Sequence, residues 1–241
     1  MIFDLIQQMM SGDPDKISLA MAIMTIPVVL ISLCFHELSH GYIAHKLGDP
    51  TAKIYGRLTM NPLSHLDPFG TLSMMLFGIG WAKPVPINPR NFKNPKKGMA
   101  LTGLAGPVSN MILAFVSLLA LRIINAITTL SFYLKGGVLY YITKDQYSIL
   151  DFVALFLIVN TLLNISLAVF NLIPIPPFDG SRIFYFILPD KYYFSVMRYE
   201  RIIMMITLVA LFGGALDIPL YYARAGIMNL FDFIIGLVPF L

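Results

Sequence analysis

Three long apolar stretches alternate with polar connections along the chain. They lie at about residues 17–46, 99–127 and 149–173. The hydrocarbon core of a bilayer is about 30 Å thick and is crossed by about 20 apolar helical residues. Each stretch is long enough for that, so the pattern predicts an α-helical multi-pass membrane protein with a three-span core.

Two weaker apolar stretches follow the third span. The first, at about 202–222, is interrupted by the glycines at 213–214 and closed by Asp217 and Pro219. The second, 226–241, could cross a locally thinned bilayer or lie in the interface. The chain therefore has one or two C-terminal apolar segments, and the side of its C-terminus stays open.

The connection between the first two spans holds a short apolar segment, residues 69–80, followed by Trp81. This segment is too short to cross the bilayer. It predicts a re-entrant or interfacial loop with the indole at the level of the headgroups.

Residues 82–88 in the same connection have a proline pattern. Pro84 and Pro86 are two positions apart, so in an extended strand they lie on one edge and remove its N–H donors. The opposite edge, at Val85 and Ile87, keeps its donors. The pattern predicts a strand that pairs on one side only, and a stiff loop is the alternative that the sequence leaves open.

Composition agrees with a membrane protein. Of the 241 residues, 57% are hydrophobic and only 12% are charged, whereas soluble domains carry about twice that charged fraction. We expect one membrane-embedded domain over residues 1–241, with a core at about 17–188 and C-terminal segments at about 202–241.

Positive charge is concentrated in the connection between the first two spans. Residues 46–98 carry eight basic and two acidic side chains. By the positive-inside rule this connection faces the cytoplasm, which predicts a multi-pass protein of the cell membrane. A nucleic-acid patch is disfavoured, because the basic residues are spread among prolines and flank spans at both ends.

An H-E-x-x-H motif lies at residues 36–40, near the end of the first span. Residues four apart share one helix face, so His36 and His40 can hold one zinc ion. Glu37 is offset around the helix and can act as a general base beside the metal. Histidines that only meet lipid headgroups are the alternative, and that alternative leaves Glu37 unexplained.

A hydrolytic zinc site needs a third protein ligand and an open position. Asp179 follows the third span in a proline-rich turn, and three crossings place it at the membrane face of the motif. His45, His65 and Asp67 are the other candidates. Asp179 could instead cap a helix at 181–188.

The second span begins with small residues at positions 100, 103 and 106, which let another helix approach closely. Asn110 lies deeper in the same span. A polar side chain there predicts a hydrogen bond to a neighbouring helix.

Together these motifs resemble the site-2 protease family of intramembrane zinc metalloproteases. Order and spacing agree over about residues 30–185. The matching segments are H-E-L-S-H-G at 36–41, the stretches 61–70, 82–88 and 106–110, and N-L-I-P-I-P-P-F-D-G at 171–180. The D-G motif after a later span makes the resemblance far more specific than H-E-x-x-H alone.

The resemblance implies that His36, His40 and Asp179 bind one Zn²⁺. It implies that Glu37 activates the attacking water as general base, and that Asn171 lies near the scissile carbonyl and helps to hold the substrate or its oxyanion. The implied reaction is hydrolysis of a peptide bond within or near a transmembrane helix.

The resemblance also implies the partners. The substrate is expected to be a membrane protein whose unwound helix lies beside Val85 and Ile87 within the lipid bilayer. No nucleic-acid partner is expected. Many family members carry a PDZ domain or another soluble regulatory domain, and the connection 128–148 is too short for one. The chain resembles a minimal form, gated by its membrane part or by a regulatory membrane partner.

The main alternative is a membrane zinc-binding or zinc-transport protein without proteolytic activity. Glu37 distinguishes the two, because hydrolysis needs a base at that position and transport does not. A non-catalytic relative that only binds membrane helices is disfavoured for the same reason. The sequence does not identify the substrate, its cleavage site, the pathway or the oligomeric state.

Overall fold

The computed structural model describes residues 16–70, 82–130, 132–135, 137–141, 148–189, 191, 196 and 198–237. Most of the predicted re-entrant segment 69–80, together with Trp81, lies outside the described residues.

Seven α-helices lie within the described parts of the chain: α1 Lys16–Lys46, α2 Thr51–Ile54, α3 Pro95–Ile127, α4 Ile149–Asn171, α5 Gly180–Ile187, α6 Glu200–Phe212 and α7 Asp217–Gly236. Short 3-10 turns at Pro62–Ser64 and Pro89–Asn91 lie between α2 and α3. An antiparallel hairpin, β1 Phe132–Lys135 and β2 Val138–Tyr141, joins α3 to α4. The sequence patterns did not predict this hairpin.

Three of the described helices are long and apolar enough to cross a membrane, namely α1 from Leu19 onward, α3 and α4. The predicted three-span core is therefore confirmed. The start of α3 has Pro95 at its first turn, where a missing N–H costs nothing, and the Asn94 side chain accepts from the Lys97 N–H at 3.0 Å. At its other end, α4 stops at Asn171, ahead of the three prolines that follow.

The three spans pack against one another around an apolar core. Fully buried side chains in it are Val28 of α1, Leu118 of α3, and Leu155 and Ile158 of α4. Met228 of α7 packs onto the same core. The side chain of Arg122 on α3 also forms an ion pair with Asp232 on α7, at 2.6 Å.

The boundary between the two C-terminal segments differs from the prediction. Helix α6 ends at the glycines, where Gly214 has φ +73°, a backbone conformation that other residues rarely adopt. Asp217 and Pro219 do not close α6 but lie in the first turn of α7. An acidic side chain is favourable there, and a proline is tolerated because its N–H would have no helical partner.

Residues 83–88 have no regular secondary structure. They follow an isolated antiparallel bridge between Leu66 and Ala82. The Lys83 N–H donates to the His65 carbonyl at 2.9 Å. The described part of this connection is thus extended chain pinned at one end, not a continuous strand.

Candidate metal centre and active site

Helix α1 presents His36 and His40 on one face, one turn apart, and both side chains are buried. Their Nε2 atoms lie 3.0 Å apart. The turn after α4 brings the Asp179 carboxylate to them, with Oδ2 3.0 Å from His36 Nε2 and 3.2 Å from His40 Nε2. Among the described residues, these three form the one group of His, Cys, Asp or Glu side chains that could hold a metal ion.

The alternative roles for these residues do not fit the observed contacts. Asp179 lies at the N-terminus of α5, but its side chain makes no capping hydrogen bond. The His65 ring contacts the Thr59 carbonyl at 2.8 Å, and Asp67 accepts from the Gly70 N–H at 2.8 Å. Neither belongs to the His-His-Asp group.

Both imidazoles are oriented by acceptors at their other nitrogen. His36 Nδ1 lies 2.7 Å from the side-chain oxygen of Asn110. His40 Nδ1 lies 2.7 Å from the main-chain oxygen of Thr102. Each Nδ1 therefore donates a proton, which leaves the Nε2 lone pairs directed at each other and at Asp179.

Two nitrogen lone pairs and a carboxylate within about 3 Å of each other require positive charge at their centre. Two imidazole nitrogens and one carboxylate oxygen are a donor set typical of zinc, with room left for a further ligand. The residues present therefore fit a single zinc ion held by His36, His40 and Asp179.

Asp179 is well suited to remain ionised. Burial by itself would raise the pKa of its carboxyl group, but in the metal-free site a proton on the facing nitrogen of His36 or His40 supplies a hydrogen bond and positive charge that outweigh burial and hold the pKa well below its ordinary value. The carboxylate is therefore available as a ligand at neutral pH.

Gly106 of α3 forms the floor under the two histidines. A Cβ atom at this position would lie 2.5 Å from His36 Cε1 and 2.5 Å from His40 Nε2. At Gly103, a Cβ would lie 3.1 Å from the main-chain oxygen of Asp179. The predicted close approach is found at Gly103 and Gly106, where the approaching groups are the metal-ligand histidines and the turn that carries Asp179.

One cavity of about 680 Å³ joins all the residues to which the family resemblance assigned a role. Its lining includes His36, Glu37, His40, Val85, Ile87, Asn171 and Asp179. Asn171 lies at the last turn of α4, where its side-chain nitrogen donates to the Leu167 carbonyl at 2.9 Å. The cavity thus places a candidate base, three metal-ligand side chains and an extended segment around one space.

Glu37 is held by the segment that the prolines mark. Its Oε2 accepts from the Val85 N–H at 2.9 Å. This N–H belongs to the edge that was predicted to keep its donors. The donor is present, but it contacts the candidate base.

Asp49 fastens the opposite edge of the segment to the end of α1. Its carboxylate accepts from the Asn88 N–H at 2.7 Å and from the Asn91 side chain at 2.6 Å. Burial would raise the pKa of Asp49, but hydrogen bonds from Thr51, Asn91 and Asn88 lower it below its ordinary value. The ionised carboxylate therefore fixes the segment next to Glu37.

Several residues in or behind the metal-ligand site were not identified from the sequence. The Thr102 main-chain oxygen has no sequence signal, since any residue supplies a carbonyl. Asn160 and Asn164 of α4 do have one, because two amides four residues apart in an apolar span lie on one helix face. Arg182 of α5 also lines the cavity.

We expect Asp179→Asn to weaken zinc binding by more than tenfold, because a neutral amide oxygen is a poorer zinc ligand than a carboxylate. His65→Ala is the matched test of the alternative ligand and should leave zinc content unchanged. Metal analysis after chelator competition measures both. If His65→Ala empties the site and Asp179→Asn does not, the third ligand is assigned wrongly.

The chain belongs to peptidase family M50, whose family model matches residues 24–214. The resemblance to the site-2 proteases is therefore confirmed. Among its relatives is the putative zinc metalloprotease YwhC of Bacillus subtilis (strain 168), which is 38% identical over 210 residues that cover 85% of this chain and 89% of YwhC.

More distant relatives carry similar names. The putative zinc metalloprotease Rip2 of Mycolicibacterium smegmatis is 30% identical over 63% of this chain and 52% of Rip2. The zinc metalloprotease MJ0392 of Methanocaldococcus jannaschii is 29% identical over 68% of this chain and 34% of MJ0392. No solved structure matches the chain. Family, spans and metal-ligand group together define a zinc metalloprotease of the membrane.

Proposed function

We propose that this protein is an intramembrane protease, which hydrolyses a peptide bond within or near a transmembrane helix of another membrane protein. The observation that carries the proposal is the position of Glu37. It lines the same cavity as the His-His-Asp group, at the end of a membrane-spanning helix, without belonging to that group.

The side chains divide the chemistry among them. His36, His40 and Asp179 would hold a zinc ion, which would supply Lewis acidity to the cavity. Glu37 takes a proton from the attacking water at a carboxylate oxygen and returns it to the leaving amide nitrogen. The Val85 N–H holds the Glu37 carboxylate in place, so the base does not have to be ordered when the substrate arrives.

A substrate helix has to unwind before it can be cut. Its peptide carbonyls are hydrogen-bonded within the helix, and freed backbone groups cost several kcal/mol each in hydrocarbon. The extended segment beside the cavity offers replacement hydrogen bonds. Within the described part of the chain, the Ile87 N–H is unpaired while the Val85 N–H binds Glu37. The Ile87 N–H is therefore the donor on this edge that is free to pair with an unwound substrate.

We expect Ile87→Pro to reduce cleavage strongly without loss of zinc, since it removes that donor. Pro86→Ala should have a much smaller effect, because Pro86 lies on the opposite edge of the segment, which does not face the substrate. Val85→Pro is less informative, since it would also release Glu37. The assay compares both variants on one substrate whose membrane helix contains Gly, Pro or Asn near its cytoplasmic end. Equal losses in the two variants would contradict pairing at this edge.

The basic connection between α1 and α3 supports a cytoplasmic position for the active site in the cell membrane. The metal-ligand group lies at the α1 end that leads into this connection. The cut would then fall in the half of the substrate helix nearest the cytoplasm. Gating by the membrane part of the chain or by a membrane partner belongs to the same proposal.

The transport alternative is less well supported by the geometry. A transport site has no need of a carboxylate held beside its metal ligands by a main-chain N–H. Glu37 is held in this way by Val85, and a general base benefits from being fixed beside the metal ligands.

A further inference from the structure

A chain of buried polar side chains leads from His36 into the centre of the three-span bundle. Asn110 of α3 contacts His36 Nδ1 at 2.7 Å and donates to the Asn164 side-chain oxygen at 2.6 Å. Asn164 of α4 contacts the Asn160 side-chain oxygen at 2.7 Å, and Asn160 donates to the Ser117 hydroxyl at 2.6 Å. All these side chains are buried.

Two neighbouring groups that act as acceptors fix the direction of this hydrogen-bonded chain. The Asn164 nitrogen lies 2.9 Å from the main-chain oxygen of Asn160. It also lies 2.8 Å from the Ser32 hydroxyl, whose own proton goes to the Val28 carbonyl at 2.7 Å. The main-chain oxygen can only accept, so the Asn164 nitrogen must face it and the Asn164 oxygen must face Asn110.

The same reasoning extends to His36. Because Asn164 presents an oxygen, Asn110 must present its nitrogen to Asn164 and its oxygen to His36. The main-chain oxygen of Ser32, 3.4 Å from the Asn110 nitrogen, favours the same orientation. A reversed Asn110 would place its nitrogen against His36 Nδ1 and would move the imidazole proton to Nε2, where it blocks metal binding.

We propose that Asn164 is a positioning residue for the metal centre. Through Asn110 it fixes His36 in the tautomer that carries its proton on Nδ1 and leaves Nε2 free for the metal. The inference deepens the proposed function, since it concerns the same site, but it depends only on metal binding and not on proteolysis.

The test replaces Asn164 by leucine, which is of similar size and has no polar atom. Zinc affinity should fall by about 10- to 100-fold, the usual effect of removing an outer partner of a metal ligand. The matched control is Thr161→Val in the same helix. Thr161 is equally buried and donates to the Leu157 carbonyl at 2.8 Å, but it lies outside the chain to His36.

A spectroscopic readout separates positioning from general damage to the fold. In zinc-loaded protein labelled with ¹⁵N-histidine, the His36 signal, identified by its loss in His36→Gln, should show a single form with metal at Nε2 and a proton on Nδ1. In Asn164→Leu at the same zinc concentration, a second form without metal at Nε2 should appear. Thr161→Val should retain the single form.

A second variant, Asn160→Leu, keeps the test decisive if Asn164→Leu fails to fold. It removes one side-chain acceptor of Asn164 and leaves the main-chain acceptor, so a smaller fall in zinc affinity is expected. Wild-type zinc affinity in folded Asn164→Leu, or a proton on His36 Nε2 in the zinc-loaded wild-type protein, would overturn the proposal. A wild-type protein that binds zinc but cuts no substrate would instead contradict the proposed function alone.

Discussion

Glu37→Gln is expected to stop cleavage almost completely while zinc stays bound. Glutamine has the same shape, and its side-chain oxygen can still accept from the Val85 N–H. It cannot take a proton from water, so the rate should fall by about 10²- to 10⁴-fold, the usual contribution of a general base. Cleavage rate and zinc content of the purified variant measure the two effects separately.

The chain offers a matched control in its second glutamate, Glu200. This residue forms a long, partly exposed ion pair with Arg182 at 3.7 Å, and such pairs contribute little to stability. Glu200→Gln should therefore cleave at nearly the wild-type rate. Normal turnover by Glu37→Gln would remove the base from the mechanism and revive the transport alternative.

Gly106→Ala is expected to lose both zinc and activity, although it adds only one methyl group. That methyl would lie 2.5 Å from atoms of His36 and His40, too close for either ring to stay in place. Overpacking of this kind typically costs about 1–3 kcal/mol. Here the strain falls on two metal ligands at once, so chelator competition should show a greatly weakened site.

Gly226→Ala provides the same chemical change in open surroundings, because nothing lies within 4 Å of a Cβ at Gly226. It should be neutral or slightly stabilising, since alanine favours helix over glycine by about 1 kcal/mol. If Gly106→Ala binds zinc as tightly as Gly226→Ala does, the two histidines do not pack on α3 as described.

The spans could be predicted from the sequence because hydropathy and length determine which helices cross a bilayer. The end of α4 followed from the prolines after Asn171. The start of α3 was predicted at about residue 99, whereas the helix begins at Pro95 with Asn94 as its cap. The start of α7 was missed, because Asp217 and Pro219 can end one helix or begin the next. Only the glycines before them decide between the two.

Part of the metal-ligand group could be predicted from the sequence for a different reason. His36 and His40 share a face of one helix, so their spacing alone brings them together. Asp179 is distant in sequence, and the geometry of the group follows from packing of α1 against α3 and α4. The partner of Asn110 could not be predicted either, since a polar residue in a span requires a hydrogen bond without specifying to what.

In the extended segment 82–88, the proline pattern predicted the free donors correctly but not the group that one of them binds. Alternation of Pro84 and Pro86 identifies the edge that keeps its donors. It carries no information about what lies opposite that edge. The structure places Glu37 against Val85, which leaves Ile87 as the free donor, among the described residues, on the edge that Val85 and Ile87 share.

The most direct test of intramembrane proteolysis is the position of the cut. Wild-type protein and Glu37→Gln are reconstituted with zinc in liposomes, together with a single-span substrate of known orientation and a helix-breaking residue near its cytoplasmic end. Mass spectrometry of the products should place the cut within the membrane helix, in its cytoplasmic half, for wild-type protein only. A cut confined to soluble parts of the substrate, or equal products from both proteins, would contradict this function.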